Sequence, residues 1–390
     1  MITADVQHPR DLSPADIAAW RDYVRAEPAF HSPLLGPDFA RLVGEVREDA
    51  RVAMFRRQGR TSGALAFHKR SGGFAQPIGA CFSDYQALVS APGEQIDGEE
   101  ALAAAGIGSI RFGALIDPSG SFPQAGPADY RGHVIELNGS AADHDAALRA
   151  ANSKRHKNWR RLQGRLEREI GEITLEPRSD DQDAFDQLIA WKRDQFRRTG
   201  THDVLRPQWA RALFQTLFQR SCGEVFGVMA VMRAGGRVVA GKFGVVADGY
   251  WHTWISSMDP DCAACAPGLV MMLREPEIME AIGVHTHDMG PGYAHYKGHF
   301  ASREVSIGEI LATADGAAGV AGRSLQTAWA LAGDGRIEAV GRLRRRLDTI
   351  NAAELSVGGR VRGFADAITG YSRRASSREP VQADAVVQES

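Results

Sequence analysis

Apolar residues first recur at helical spacing. Ile17, Trp20 and Val24 share one face behind Ser13-Pro14-Ala15-Asp16. There Ser13 supplies a cap, Pro14 the first helical position and Asp16 a charge suited to the positive helix end. A second helix is expected after Pro37, carrying Phe39, Leu42, Val43 and Val46. Residues 51–57 and 61–69 then read as a hairpin around Gln58-Gly59-Arg60. Residues 95–106 read as a helix, and 109–115 and 133–137 as strands, so the first 140 residues are mixed α and β.

Residues 141–169 form a long helical pattern. Its stretch 154–168 holds seven Lys/Arg against one Glu, a local net charge of +6. It reads either as a solvated connecting helix or as an anion-facing helix that helps bind a phosphorylated ligand. Two amphipathic helices follow at 183–199 and 209–218, the first with Phe185, Leu188, Ile189, Lys192 and Phe196 on one side.

The period then changes to two. Residues 225–233, 237–247 and 250–258 form a meander turned by Ala234-Gly235-Gly236 and Asp248-Gly249. A helix from Pro267-Gly268 toward Ala281 carries Pro276, which predicts a kink or break, and stops at Gly283. A strand at 284–289, a helical turn or two at 293–299 and a last strand at 305–313 complete this region. The tail from about 317 is helical again, with Ile337, Val340, Leu343, Leu347 and Ile350 at three- and four-residue spacing. Residues 376–390 have few large apolar side chains and are expected to be disordered.

The chain has 390 residues, room for two to three domains of about 150 residues each. Lys+Arg 46 against Asp+Glu 48 gives a net charge of −2, which excludes a wholly basic, histone-like protein; a DNA partner is not expected. A 44% apolar and 24% charged composition is that of a folded globular protein. No apolar run reaches the roughly 20 residues of a membrane span. The first residues lack the basic start and apolar core of a secretory signal. With four cysteines, too few for a disulfide scaffold, a reduced, cytoplasmic protein is expected.

Several local patterns bear on chemistry. The loop 261–268 is built of small residues and feeds a helix N-terminus, where amide N–H groups and the helix dipole favour an anion. Cys262-x-x-Cys265 has neither the partners of a four-ligand zinc site nor a charge to activate a thiol, so no metal is expected. His285-x-His287 puts two rings on one strand face with no third ligand and reads as two partly buried histidines. The GxGxxG and P-loop nucleotide motifs are absent. In the tail, Arg342, Arg344, Arg345 and Arg346 form a cluster. It reads as the solvated face of a docking helix, as a site for an anionic nucleotide such as a cyclic dinucleotide, or as a peripheral contact to an anionic membrane surface.

Five stretches, taken in order, resemble the GNAT-type acetyltransferases of the CelD/BcsL class, named for cellulose and exopolysaccharide biosynthesis. They are Ser32-Pro33-Leu34-Leu35 with Pro37, Phe82-Ser83-Asp84-Tyr85-Gln86, the basic 154–168 stretch, Ala266-Pro267-Gly268, and Asp288-Met289-Gly290 followed by Tyr296-Lys297 and Phe300. The resemblance covers residues 30–312. Ala266 stands where the class usually has Ser, and Phe300 where Trp is common.

The resemblance implies an α/β protein of two tandem GNAT-like (acyl-CoA N-acyltransferase) domains with mixed sheets, as in the FemAB-type transferases, plus a helical C-terminal tail. On it rest an N-terminal domain at 1–140, a basic connecting helix at 141–169, an acyltransferase domain at 170–316 and a helical tail at 317–375. It also implies acetyl-CoA or another acyl-CoA as co-substrate and an amine acceptor, often on a sugar.

Such a reaction needs a deprotonated amine, an oxyanion donor and a proton for the leaving thiolate. Asp288 is the candidate general base or amine-orienting group, or else a turn cap. Tyr293 or Tyr296 is the candidate proton donor to sulfur, or else core. Lys297 would bind phosphate or pair with Asp288, and Asp84 and Tyr85 would face the acceptor. Backbone N–H groups around Ser256 and Ser257 would polarise the thioester, and Cys265, Ala266, Pro267 and Gly268 would receive the diphosphate. The expected function is acylation of an amino-sugar unit or precursor of an exopolysaccharide. The alternatives are aminoacyl transfer from tRNA to a peptidoglycan precursor, and a non-catalytic nucleotide sensor.

Overall fold

A computed structural model describes residues 2–292, 295–334 and 336–376. The chain divides into two units, one of Met1–Tyr130, Arg206–Leu213 and Ser306–Thr369, the other chiefly of Arg131–Leu205 and Phe214–Val305.

The first unit holds β1 (Thr3–Gln7), β2 (Ala50–Arg57), β3 (Arg60–Lys69), β4 (Phe74–Pro77), β5 (Val89–Ser90), β6 (Ser109–Leu115) and β7 (Gly126–Pro127). Its helices are α1 (Pro14–Ala26), α2 (Pro37–Val46) and α3 (Gly98–Ala104). Ser13 caps α1 by accepting from the Asp16 N–H, as its position in the sequence predicts. Phe55, Leu65, Phe67, Leu102, Ile110, Phe112 and Phe122 are among the core residues.

The second unit holds β8 (Arg131–Glu136), β9 (Ile173–Glu176), β10 (Phe226–Ala234), β11 (Arg237–Ala247), β12 (Tyr250–Met258), β13 (Thr286–Gly292) and β14 (Arg303–Val305), in the order β14-β8-β13-β12-β11-β10-β9. Its helices are α4 (Ala141–Ala151), α5 (Ser153–Glu169), α6 (Gln182–Thr199), part of α7 (Gln208–Gln219), α8 (Pro267–Leu273), α9 (Glu275–Ile282) and α10 (His295–Phe300). The β10-β11-β12 meander matches its expected bounds to within one residue. Lys242 and Phe243 are neighbours on β11 and so point to opposite faces. Phe243 meets Phe185 of α6 with ring centroids 5.1 Å apart, while Lys242 meets Glu275 of α9.

β15 (Gly308–Thr313) returns to the first sheet between β6 and β7. The tail follows as α11 (Ala317–Leu331), α12 (Glu338–Ala353) and α13 (Val357–Ser376). Residues 377–390, expected to be disordered, lie outside the described residues.

Four expectations change. The pattern at 141–169 is two helices broken at Asn152, whose side chain caps α5 by accepting from the Arg155 N–H. Helix α5 buries Trp159, Leu162 and Leu166 in the core of the second unit, so it is not a connector. The strand expected at 305–313 splits between the two sheets, because β14 pairs with β8 and β15 with β6. Boundaries at 140 and 316 therefore do not hold: β8 belongs to the second sheet and β15 to the first. The break expected at Pro276 is present: the helix from 267 ends at Arg274, which places Pro276 in the first turn of α9, where its missing N–H costs no helical bond.

Candidate active site

β12 and β13 run parallel, but only Tyr250, Trp251 and His252 pair with Thr286, His287 and Asp288. Beyond that point β12 continues to Met258 with β11 as its one partner among the described strands. β13 bends away, and its register with β8 slips between Asp288 and Pro291.

Side chains hold this divergence. Asp288 Oδ1 accepts from the Gly290 N–H at 2.7 Å, and Gly290 adopts φ 73°, a left-handed turn that glycine enters without strain. The Lys297 ammonium donates to the Met289 and Gly290 carbonyls at 2.7 and 3.3 Å. The polar backbone groups that would otherwise extend a ladder to β12 are thus satisfied within β13 and α10. On the other wall, Thr253 faces Gly244 and Ile255 faces Phe243, which leaves Trp254 as a bulge. Gly244 is required there, since a Cβ would lie 2.1 Å from the His252 carbonyl oxygen.

The result is a wedge between two strands, with the six residues 253–258 along one side. Alternate N–H groups of a strand point to the same edge, so about three face the wedge. The far end of this edge meets α8, where the Gly268 Cβ position is 3.5 Å from Met258 Sδ.

A buried polar cluster stands behind the wedge. Asp288 is fully buried. The Tyr250 hydroxyl donates to its Oδ2 at 2.7 Å, and His252 Nδ1 lies 3.5 Å from the same oxygen. Burial by itself would raise the Asp288 pKa, but His252, Tyr250 and the Gly290 N–H outweigh it and hold the carboxyl below the usual range. Burial, with Asp288 beside it, pushes the Tyr250 phenol well up. On the opposite face Lys242 pairs with Glu275, and His287 Nδ1 lies 3.3 Å from Glu275 Oε1. His287 Nε2 is 3.2 Å from Thr253 Oγ1. Burial first, then Lys242 and His252, pushes His287 well below its ordinary value and keeps it neutral.

These positions revise several site expectations. Asp288 has both oxygens hydrogen-bonded inside the core and a lowered pKa rather than one poised near neutrality, which favours the orienting role over the general-base role. Ser256 is exposed and Ser257 half-buried on the edge of the wedge. Cys265, Ala266 and Pro267 are buried at the entry to α8, and Gly268 is half-buried. Cys265 donates through sulfur to Glu169 at 3.3 Å. Tyr296 is half-buried against the core, and burial followed by the charge of Glu275 raises its pKa. Tyr293 lies outside the described residues.

Asp84 and Tyr85 lie in the first unit. Tyr85 is 2% exposed and so packs in the interior rather than facing a substrate. Of the two histidines expected to be partly buried, His287 is fully buried, whereas His285 is exposed and lies 2.9 Å from Thr286 Oγ1. In the tail, Arg344 is buried and paired with Glu309 at 2.7 Å, Asp334 at 2.6 Å and Asp348 at 3.3 Å. Arg342 pairs with Glu338, and Arg345 with Asp129 at 3.7 Å. Arg344 is therefore an internal ion-pair centre, not an anion-binding group. Among the described residues, no His, Cys, Asp or Glu cluster of three is placed to hold a metal, and no helix is long and apolar enough to cross a membrane.

Sequence reasoning missed Lys242, Glu275, Tyr250 and His252. One signal was present: Lys242 is a charge in the apolar run VVAGKFGVV, and a buried charge requires a partner. It also missed Lys192, half-buried on α6, which burial and then Lys297 push down to about 8.

Residues 153–298 match the family model of the acetyltransferase (GNAT) domain. No curated protein matches the chain. Among solved structures, FemX is similar over 79% of this chain and 97% of its own, with 11% identity and a TM-score of 0.51. A tandem GNAT protein from the clavulanic acid biosynthesis pathway covers 80% of this chain and 98% of its own, at 12% identity and a TM-score of 0.45. L-PGS from Bacillus licheniformis covers 78% and 91%, at 11% identity and a TM-score of 0.46. The chain is an α/β protein with two mixed sheets and a helical C-terminal region, and its residues 153–298 form a GNAT-type acetyltransferase domain.

Proposed function

We propose that the protein transfers an acyl group, acetyl in the first instance, from coenzyme A to the amine of an amino-sugar unit or precursor of a bacterial exopolysaccharide. The observation that carries the acyl-transfer reading is the wedge between β12 and β13 within the GNAT domain. A pantetheine arm is an extended chain with two amides, and an unpaired strand edge is its natural complement. Bound there, it completes the ladder that β13 abandons at Asp288. The thioester carbonyl then lies against N–H groups of 253–258, which stabilise the oxyanion. Removing one such donor from an enzyme typically costs about 10²–10³ in kcat.

The amine nitrogen forms a bond to the carbonyl carbon and loses a proton, the carbon–sulfur bond breaks, and the thiolate takes a proton. Tyr296, the one of the two candidate tyrosines that lies among the described residues, is the candidate donor. Asp288 and Lys297 act as positioning residues that keep the wedge open. The diphosphate falls to the small-residue loop ending at Gly268. The sugar acceptor rests on the order of the sequence motifs that resemble the CelD/BcsL class.

The test is acetyl-CoA turnover with free glucosamine, followed by thiol release and by mass spectrometry of the sugar. Equal amounts of CoA and N-acetyl sugar are expected. Absence of both CoA binding and CoA release contradicts the reading. The competing reading is aminoacyl transfer from tRNA, which the cationic α5 favours. In that case RNA binds, and its affinity falls steeply with salt.

A further inference from the structure

Helix α5 carries a charge pattern that acyl transfer itself does not use. With 100° per residue, Lys154, Lys157, Arg161, Arg165 and Arg168 fall in one stripe about 80° wide and about 21 Å long. The opposite face buries His156, Trp159, Leu162 and Leu166.

The C-terminal half of the stripe is fastened to the loop before α8. Arg165 Nη1 donates to the Ala264 carbonyl at 2.9 Å, and its Nε donates to Glu169 at 2.7 Å. Glu169 in turn accepts from Cys265 Sγ. Arg161 and Arg168 flank Arg165 on the same face, one turn to either side, and both are exposed. Arg161 donates to the Asn158 amide oxygen rather than to a carboxylate. By contrast Arg237, the other arginine at this loop, is engaged by Asp259 and Asp261.

We propose that Arg161 and Arg168 bind the 3′-phosphate on the ribose of the donor coenzyme. The inference rests on the acyl-CoA reading above and extends it to donor specificity. Coenzyme A carries three phosphate groups, and on the reading above the loop at 264–268 takes the diphosphate. The monoester sits one ribose away, carries close to two negative charges at neutral pH, and needs cations beside that loop. Guanidinium forks suit such a phosphate. Arg165 ties the helix to the loop, so its two exposed neighbours flank that contact on the same face.

Calorimetric titration of the full chain with CoA and with 3′-dephospho-CoA tests this without knowledge of the acceptor. CoA is expected to bind about tenfold tighter or more, the scale of one charge-assisted contact. In the Arg161→Gln/Arg168→Gln double variant, CoA affinity should drop to that of dephospho-CoA, which itself stays unchanged. Lys154→Gln, removed from Arg165 by three turns, should alter neither. Equal affinities in the unaltered protein overturn the proposal, as does a double variant that weakens both ligands alike. Failure of both ligands to bind removes the donor reading itself, which distinguishes the two failures.

Discussion

Each sheet contains two parallel neighbours that separate after a short ladder, and the two gaps are treated differently. In the first unit β4 pairs with β6 only at Phe74–Ser109 and Ala75–Ile110. The chain then fills the gap with its own segment. The Gln86 N–H donates to the Ala114 carbonyl at 2.9 Å, the Gln86 carbonyl accepts from Ile116 at 2.8 Å, and Gln86 Oε1 accepts from the Gly113 N–H at 3.0 Å. Gln86 forms a parallel bridge with Leu115. In the second unit Asp288 and Lys297 satisfy the parting backbone instead, and among the described strands 253–258 has a ladder partner on its β11 side alone. The same sheet arrangement is therefore plugged in one unit and open in the other. A site for an extended ligand follows from which polar groups are left for it, not from the fold alone.

The largest effect is expected behind the open wedge. Lys242→Met leaves Glu275 buried without its counter-charge. Unfolding free energy should fall by about 3–5 kcal/mol in urea titration, and replacing both partners by apolar residues should recover most of it. No loss in the single variant would mean that the pair does not support the wedge.

Acid should act on both units. His68 is fully buried, and its Nε2 accepts from the Gly79 N–H at 2.9 Å while its Nδ1 faces Asp49 at 3.1 Å. Burial lowers its pKa to about 4, and His287 is lowered for the same reason. Both folded values lie below the unfolded one, so the unfolded chain takes up protons first as pH falls. Stability should be full above pH ~6.5 and drop by about 1.4 kcal/mol per pH unit per histidine below it, down to pH ~4 for His68. His68→Gln should flatten part of that slope in chemical denaturation across pH.

Gln86→Ala should weaken the plug by about 1–3 kcal/mol and leave kcat unchanged, because the proposed donor site lies in the second unit. A drop in kcat would place function in the plugged gap as well. The smallest effect separates two roles for Asp288. Asp288→Asn keeps an oxygen for the Gly290 N–H, so the rate should change less than about tenfold, whereas a lost general base costs about 10²–10⁴.

Local signals carried most of the elements. The cap at Ser13, the Asp248-Gly249 turn and the period-two run from 225 to 258 each depend on neighbours in the chain, and each appears where expected. The errors are non-local. No nearby residue announces that β15 crosses back to β6, because only its ladder partners fix it. Asp288 drew attention as a lone acid at a strand end, yet its role depends on Tyr250, His252 and Gly290, two of them on another strand. Phe82–Gln86 stood out through the family resemblance, whereas its place in the gap depends on Gly113, Ala114 and Ile116, far along the chain.

The central claim is that the donor completes the abandoned edge of β12. A crystal structure of the full chain with coenzyme A tests it most directly. The pantetheine amides should bond to residues between Thr253 and Met258, with the diphosphate against 264–268. Coenzyme lying along β4 and β6, or β13 closing onto β12 with the ligand elsewhere, would contradict it.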